Sequence, residues 1–285
     1  MKIYVIGIGL IGGSMAMDLK ALIDDVEVVG IDANKEHADQ ALELGIIDRI
    51  GSLNTIAEAD RVILSIPVKE SLELLPQLLD QLHSKALLWD VGSTKEQLCE
   101  LISSHSKRDQ FLAAHPIAGT EFSGPKAAQS GLFRSKPQIL CESSRTRPDL
   151  LAWARQTFRE MGMYLRLMEA GEHDKHMAYV SHLSHISSFM LGKTVLEKEE
   201  DENNIFDLAG SGFESTVRLA KSSPAMWTPI FEQNKENVIE ILDAYIKNLE
   251  HFKSLLVNDD YEELFQEMKN TNQLTSILNG ISKIK

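Results

Sequence analysis

Lys2-Ile3-Tyr4-Val5-Ile6-Gly7-Ile8-Gly9-Leu10-Ile11-Gly12-Gly13-Ser14 decides the fold. A short apolar run passes directly into Gly-x-Gly-x-x-Gly and then into a helical pattern. That is the order needed by a strand, a tight turn and a helix whose N-terminus receives a pyrophosphate. Gly7 permits the turn, Gly9 lets a phosphate approach the backbone, and Gly12 lets the helix pack closely on the strand. Unpaired N–H groups at the helix start, around Leu10 and Ile11, add the positive end of the helix dipole. A second apolar strand, Val26–Ile31, ends at Asp32, 20 positions after Gly12, where an acidic side chain meets the ribose hydroxyls of a dinucleotide. A carboxylate there repels a 2′-phosphate and favours NAD over NADP, a preference that nearby Lys35 softens. The competing reading makes Asp32 the N-cap of the next helix.

Composition narrows the remaining classes. The 285 residues allow one large or two medium domains, and a hydrophobic fraction of 43% supports real cores. A net charge of −13 argues against nucleic acid or an anionic membrane as partner. An anionic substrate must then be drawn in by local positive groups. Cys99 and Cys141 form neither a metal pattern nor a disulfide framework, which suits a reducing cytoplasm. No run is apolar enough to span a membrane, and no leader segment is expected before the first strand.

The first half alternates strands (Ile3–Ile6, Val26–Ile31, Arg61–Ile66, Ala86–Asp90, Phe111–Ala114, Pro137–Cys141, Met163–Leu167) with helical patterns such as Lys35–Leu44, Lys69–Leu82 and Thr94–Ser103. This rhythm predicts an α/β fold, a Rossmann-type and mostly parallel sheet over residues 1–169. From 170 to 285 the strand signal stops. A C-terminal all-helical domain is expected there, with helices over Glu172–Lys198, Gly212–Lys221, Pro224–Leu256 and Asp260–Ile284.

Ligands of an open parallel sheet bind beyond the carboxyl ends of its strands, so the polar groups there are the candidates. Ser65 and Pro67 leave the third predicted strand beside the nucleotide. Asp90-Val91-Gly92-Ser93-Thr94-Lys95 leaves the fourth, and Ser93 with Glu96 reads as a capping box, a role compatible with contacting a substrate. His115 stands at the mouth of the fifth strand, held extended by Pro116. An imidazole titrating near pH 6.5 can take a proton from an alcohol while hydride leaves the same carbon. His173, His176, His182 and His185 open the helical half. On a regular helix His173 and His176 share one side and the other two point away, so no metal site is predicted. Ser181 and His185 lie one turn apart and either line a cleft or satisfy each other at a helix contact. Arg218 alone reads as a surface cation, although its fork suits a carboxylate.

Together these residues resemble the prephenate dehydrogenase family, which includes arogenate and cyclohexadienyl dehydrogenases. The matches are Gly7-x-Gly-x-x-Gly-Gly-Ser14, Asp90-Val-Gly-Ser93, His115-Pro-Ile-Ala-Gly-Thr-Glu121, Ser181-His-Leu-Ser-His185, and Arg218 followed by Ser223-Pro-Ala-Met-Trp227. The resemblance implies NAD-dependent oxidative decarboxylation of prephenate to 4-hydroxyphenylpyruvate, with no metal. It casts His115 as the base on the ring hydroxyl and Ser93 as a contact to that hydroxyl or an orienter of His115. His185, Ser181, Arg218 and Thr120 become substrate contacts, and Glu121 a partner of Arg218. The helical domain is implied to form a homodimer, with Trp227 reaching toward the partner's site. Some members add a C-terminal regulatory domain, which is not expected after Lys285. Two rivals stand beside this reading: a dehydrogenase of β-hydroxy acids, and a module that senses NAD without turnover.

Overall fold

The computed structural model describes residues 1–120, 122–202 and 204–283. The alternating region folds as β1 (Lys2–Ile6), α1 (Leu10–Leu22), β2 (Glu27–Ile31), α2 (Lys35–Glu43), β3 (Arg49–Ile50), β4 (Arg61–Leu64), α3 (Val68–Gln81), β5 (Leu87–Asp90), α4 (Glu96–Leu101), β6 (Phe111–Pro116), β7 (Pro137–Cys141), α5 (Pro148–Glu160) and β8 (Tyr164–Met168). Among the described residues these strands make one eight-stranded sheet, ordered β3-β2-β1-β4-β5-β6-β7-β8. The first six reproduce the 3-2-1-4-5-6 order of dinucleotide-binding sheets, whose direction of winding reverses between β1 and β4. Two-residue β3 carries too short a pattern to be seen in the sequence. All neighbours pair in parallel except β6 and β7, which run antiparallel with His115 opposite Ile139.

Side chains alternate between two cores, as the strand period requires. Ile3, Val5, Ile63, Trp89, Leu112 and Ala114 pack with Met15 and Leu19 of α1 and Leu150 and Phe158 of α5. Tyr4, Ile6, Val62, Leu64, Leu88 and Ala113 pack on the opposite face with Leu75, Leu78 and Leu79 of α3 and Leu98 of α4. The same alternation turns His115, two residues after Ala113, toward the α3 and α4 face.

The chain continues through α6 (Ala170–Met177), a π-helical turn (Ala178–His182), α7 (Leu183–Glu202), α8 (Ser211–Val217), a 3₁₀ turn (Arg218–Lys221) and α9 (Pro224–Gln233). Residues 1–234 form one compact unit, so α6 to α9 belong to the same unit as the sheet. The helix expected over Glu172–Lys198 is thus split by a wide turn, and the one expected over Pro224–Leu256 is broken at Asn234. From Lys235 onward lies a second unit built of α10 (Lys235–Val257), α11 (Tyr261–Thr271) and α12 (Leu274–Lys283). Asp260 caps α11 by accepting from the Glu263 N–H at 3.2 Å, and His251 of α10 meets Glu267 of α11 at 2.9 Å. Among the described residues no helix is long and apolar enough to cross a membrane.

Candidate active site

The glycines of the first loop separate into two kinds. Gly7 has φ +88°, and a Cβ on it would lie 2.2 Å from the Ser65 carbonyl oxygen; a Cβ on Gly12 would lie 2.1 Å from the Gly7 carbonyl oxygen. The fold itself requires both. Gly9 has ordinary φ and ψ of −84° and −160°, and a Cβ there would meet nothing within 4 Å. Open space above Gly9 is what a bound pyrophosphate needs, and no intramolecular contact accounts for a missing side chain. Gly9 is also the N-cap of α1 and supplies no capping side chain, so the first-turn N–H groups of Leu10 and Ile11 point outward unpaired by the helix. Asp32 at the end of β2 accepts from the Ile8 N–H and the Asn34 N–H, both at 2.9 Å, which fixes its carboxylate beside the loop. The N-cap of α2 is Asn34, whose side chain accepts from the Glu36 N–H at 3.0 Å, so the capping alternative for Asp32 is wrong. Ser65 sits against Gly12 at the exit of β4, and Pro67 stands exposed at the start of α3. These residues fit a dinucleotide.

A polar network lies at the carboxyl ends of β5 and β6. Lys95 is fully buried, and its Nζ contacts Asp90 Oδ2. Asp90 also accepts from the Gly92 N–H at 2.9 Å and, through Oδ1, from the Ala114 N–H at 3.1 Å. The backbone N–H groups of Lys95 and Glu96 donate to the two oxygens of Asp174 at 2.8 and 2.9 Å. Asp174 Oδ1 lies 2.7 Å from His173 Nδ1, and His173 Nε2 lies 2.9 Å from His115 Nδ1. The expected capping box therefore does not form: α4 is capped across the fold by Asp174, because Lys95 rather than Ser93 occupies its N-cap position. Ser93 is half-buried and its hydroxyl makes no hydrogen bond among the described residues. The His115 nitrogen Nδ1 is held by His173, not by Ser93. Burial drives His115 well below the usual histidine range, with His173, Lys95 and His182 adding in the same direction. Burial likewise lowers His173, although Asp174 opposes it.

The π-turn corrects the helical wheel. Its wider circuit swings the following residues round, so buried His182 lies on the same side as His173 instead of opposite it. Asn234 ties the two, placing Nδ2 2.7 Å from the Asp174 carbonyl oxygen and 3.1 Å from His182 Nδ1. His182 packs edge-on to Trp227, and Trp227 stacks on His185 with ring centroids 3.5 Å apart. His185 Nδ1 donates to the Ser181 carbonyl oxygen at 2.9 Å, so the backbone of Ser181, not its hydroxyl, orients the ring. Burial lowers the pKa of His185; the bond to Ser181 opposes this, and the charge of Arg218 lowers it further. His115 and His185 are therefore held toward neutrality, and Arg218 at the start of the 3₁₀ turn is the predicted site cation that remains positive. Trp227 was expected to reach toward a partner. It is instead buried in its own chain with Val68 and Ile230, its Nε1 without a hydrogen-bond partner. Thr120 is exposed, and its hydroxyl accepts from the Phe122 N–H at 3.2 Å. Glu121 lies outside the described residues.

His173, Asp174, Lys95, His182 and Asn234 escaped the sequence reading as site residues. The Asp90 to Lys95 run and the histidine cluster drew attention to the right segments; the contacts that join them span 58 to 79 positions. Among the described residues no group of three or more His, Cys, Asp and Glu side chains is arranged to hold a metal ion.

Known proteins share this arrangement along the whole chain. The family model for "Prephenate dehydrogenase, nucleotide-binding domain" matches residues 15–167, and that for "Prephenate dehydrogenase, dimerization domain" matches residues 169–270. The chain belongs to the prephenate dehydrogenase family. Prephenate dehydrogenase of Bacillus subtilis is 31% identical over 275 residues, covering 94% of this chain and 73% of that protein. The crystal structure of prephenate dehydrogenase from Aquifex aeolicus, in complex with hydroxyphenyl propionate and NAD+, matches with a TM-score of 0.90 at 32% identity over 98% of each chain. Synechocystis arogenate dehydrogenase matches with a TM-score of 0.77 at 29% identity, over 98% of this chain and 100% of that one. Family membership makes the chain a dehydrogenase and its first glycine loop part of a nucleotide-binding domain.

Two measurements probe this geometry. Gly9→Ala is expected to shift folding stability by no more than about 1 kcal/mol, the cost of an alanine N-cap, while weakening dinucleotide binding in titration calorimetry. Gly7→Ala is expected to lose about 1–3 kcal/mol from its backbone conformation alone. Equal destabilisation by the two would remove the argument for a phosphate over Gly9. Separately, His115, His173 and His182 are held neutral when folded, His182 pushed down to about 4. The unfolded chain takes up these protons near pH 6.5, so below that pH it binds more protons than the folded chain. Their contribution to stability is thus intact above pH 6.5 and falls as pH drops, by up to about 1.4 kcal/mol per unit for each histidine. The melting temperature should fall on acidification toward pH 4, less steeply in His182→Asn; identical slopes would contradict the assignment.

Proposed function

We propose that the protein catalyses the NAD-dependent oxidative decarboxylation of prephenate to 4-hydroxyphenylpyruvate. The observation that carries the reading is His115, a neutral imidazole at the carboxyl end of β6, within the sheet whose first loop is open above Gly9. NAD, when bound, takes up the hydride that leaves the ring carbon bearing the hydroxyl. His115 takes the hydroxyl proton as that hydride departs. Loss of the ring carboxylate as CO2 then supplies the electrons that make the ring aromatic, and His115 returns the proton to the phenolic oxygen, so no net proton is released. Positioning and one proton transfer are what the chain must supply, since aromatisation drives the rest. Arg218 provides the fork for a substrate carboxylate. His185, flattened against Trp227 and fixed by the Ser181 carbonyl, contributes a shaped wall and a free Nε2 beside it. Ser93, with an uncommitted hydroxyl, is assigned to the substrate's ring hydroxyl, and Thr120 and Glu121 remain proposed contacts. Asp32, Ser65 and Pro67 line the nucleotide, and the Asp32 carboxylate favours NAD over NADP. The division into a nucleotide-binding part over 1–169 and a helical part over 170–285 is proposed with this function. So is homodimerisation through the helical part, which the apolar residues Leu249, Phe252, Leu274 and Ile277 exposed along α10 and α12 support.

Arogenate, which carries an amino group where prephenate has a keto group, is the alternative substrate, supported by the Synechocystis arogenate dehydrogenase similarity. Comparing kcat/KM for the two, by NADH formation, decides between them; turnover of neither, with 3-hydroxy acids accepted instead, would overturn the proposal. His115→Asn should lower kcat by about 10²–10⁴-fold while NAD still binds. Arg218→Ala should chiefly raise KM, losing about 1.5–3 kcal/mol of a charge-assisted contact. An unchanged KM would take Arg218 out of the site.

A further inference from the structure

We propose that His173, anchored by Asp174, is a positioning residue that sets which nitrogen of His115 is free to act as base. The inference rests on the reading of His115 as the proton acceptor in the dehydrogenase reaction. Three contacts in series carry it. The Asp174 carboxylate can only accept hydrogen bonds, and it already accepts from the backbone N–H groups of Lys95 and Glu96. The His173 nitrogen 2.7 Å from Asp174 Oδ1 must therefore carry a hydrogen, since a bare lone pair would face a carboxylate. In the neutral ring this leaves Nε2 of His173 as an acceptor. The contact to it at 2.9 Å then requires His115 to donate from Nδ1, and Nε2 of His115 is left with its lone pair exposed.

The series also gives the captured proton a route. When the substrate hydroxyl gives its proton to His115 Nε2, the Nδ1 hydrogen can pass to His173 Nε2 and the His173 Nδ1 hydrogen toward Asp174 Oδ1. Returning the proton to the phenolate reverses each shift, so no group gains or loses a proton overall. The charged groups facing the two rings are Lys95, His182, Asp90 and Asp174. Lys95 is occupied by Asp90, which leaves Asp174 as the carboxylate in direct contact with the series.

The signature is a tautomer, which can be read directly. Nitrogen-15 NMR of the full-length protein above pH 7, with His115 assigned through His115→Asn, should show His115 protonated at Nδ1 and bare at Nε2. The opposite tautomer would overturn the proposal whatever the enzyme turns over. In Asp174→Asn the amide can present its N–H to His173 Nδ1, which reverses both rings and places a hydrogen on His115 Nε2. We expect kcat to fall about 10²–10⁴-fold, with NAD affinity and KM within about threefold of wild type. His173→Gln, whose carbonyl can still accept from His115 Nδ1, should keep the wild-type His115 tautomer and lose less kcat than His173→Leu. Equal losses in Gln and Leu with unchanged spectra would reduce His173 to packing. If Asp174→Asn does not fold, the wild-type spectrum and the His173 pair still decide. If wild type turns over neither prephenate nor arogenate, the proposed function fails while the tautomer test stands apart.

Discussion

A lysine ammonium held wholly out of water against a carboxylate is the constraint on which the centre of this protein depends. Taking Lys95 and Asp90 out of water is costly. Removing one partner of such a pair costs about 3–5 kcal/mol, because the other is left charged and buried. Asp90 uses its remaining capacity on the Gly92 and Ala114 N–H groups, so the pair joins the turn after β5 to the end of β6, one residue before His115. The same turn presents the Lys95 and Glu96 N–H groups to Asp174 and thereby docks α6. The position of His115, its partner His173 and the helix that carries that partner all follow from one buried pair.

The electrostatics resolve a difficulty raised by composition. A chain of net charge −13 must bind two negative ligands, a dinucleotide and a carboxylate substrate. At the glycine loop the positive character comes from backbone N–H groups, which need no basic side chain. At the helical side Arg218 supplies it, while burial keeps the imidazoles neutral. That division suits the chemistry: a charged His115 could not accept a proton, and a neutral one in a dry setting gains one readily only when charge leaves the substrate.

Local signals carried much of this into the sequence. The glycine loop, the Asp32 ribose position and the strand that delivers His115 are written in contiguous residues, and the first six strands wind as that motif implies. Ser93, His185 and Arg218 were found through matches to family motifs; spacing alone assigned Arg218 to the surface. What stayed hidden depends on distance along the chain. Asp174 caps a helix 78 positions away, a bond no local capping rule can see, and the Ser93 capping box was inferred because that rule looks only three residues ahead. The facing of His182 was misread for a different reason. A wheel of 3.6 residues per turn assumes an unbroken α-helix, and nothing in Ala178-Tyr179-Val180-Ser181-His182 announces a wider turn. Trp227 was placed toward a partner by resemblance, whereas its ring is used inside the chain, against His185.

The wide turn at 178–182 makes the helix after it sensitive to length in a way that its composition is not. Each residue of an α-helix advances the face by about 100° and the axis by about 1.5 Å. Dropping one of these five residues would let the segment relax into regular geometry, and everything downstream would be re-aimed: His185 would leave Trp227 and the wall they form would come apart. Replacements there need only fit their neighbours. Drift at this point should therefore run through exchange of side chains, with insertions and deletions shut out by the bearing that the last turns of the helix must keep.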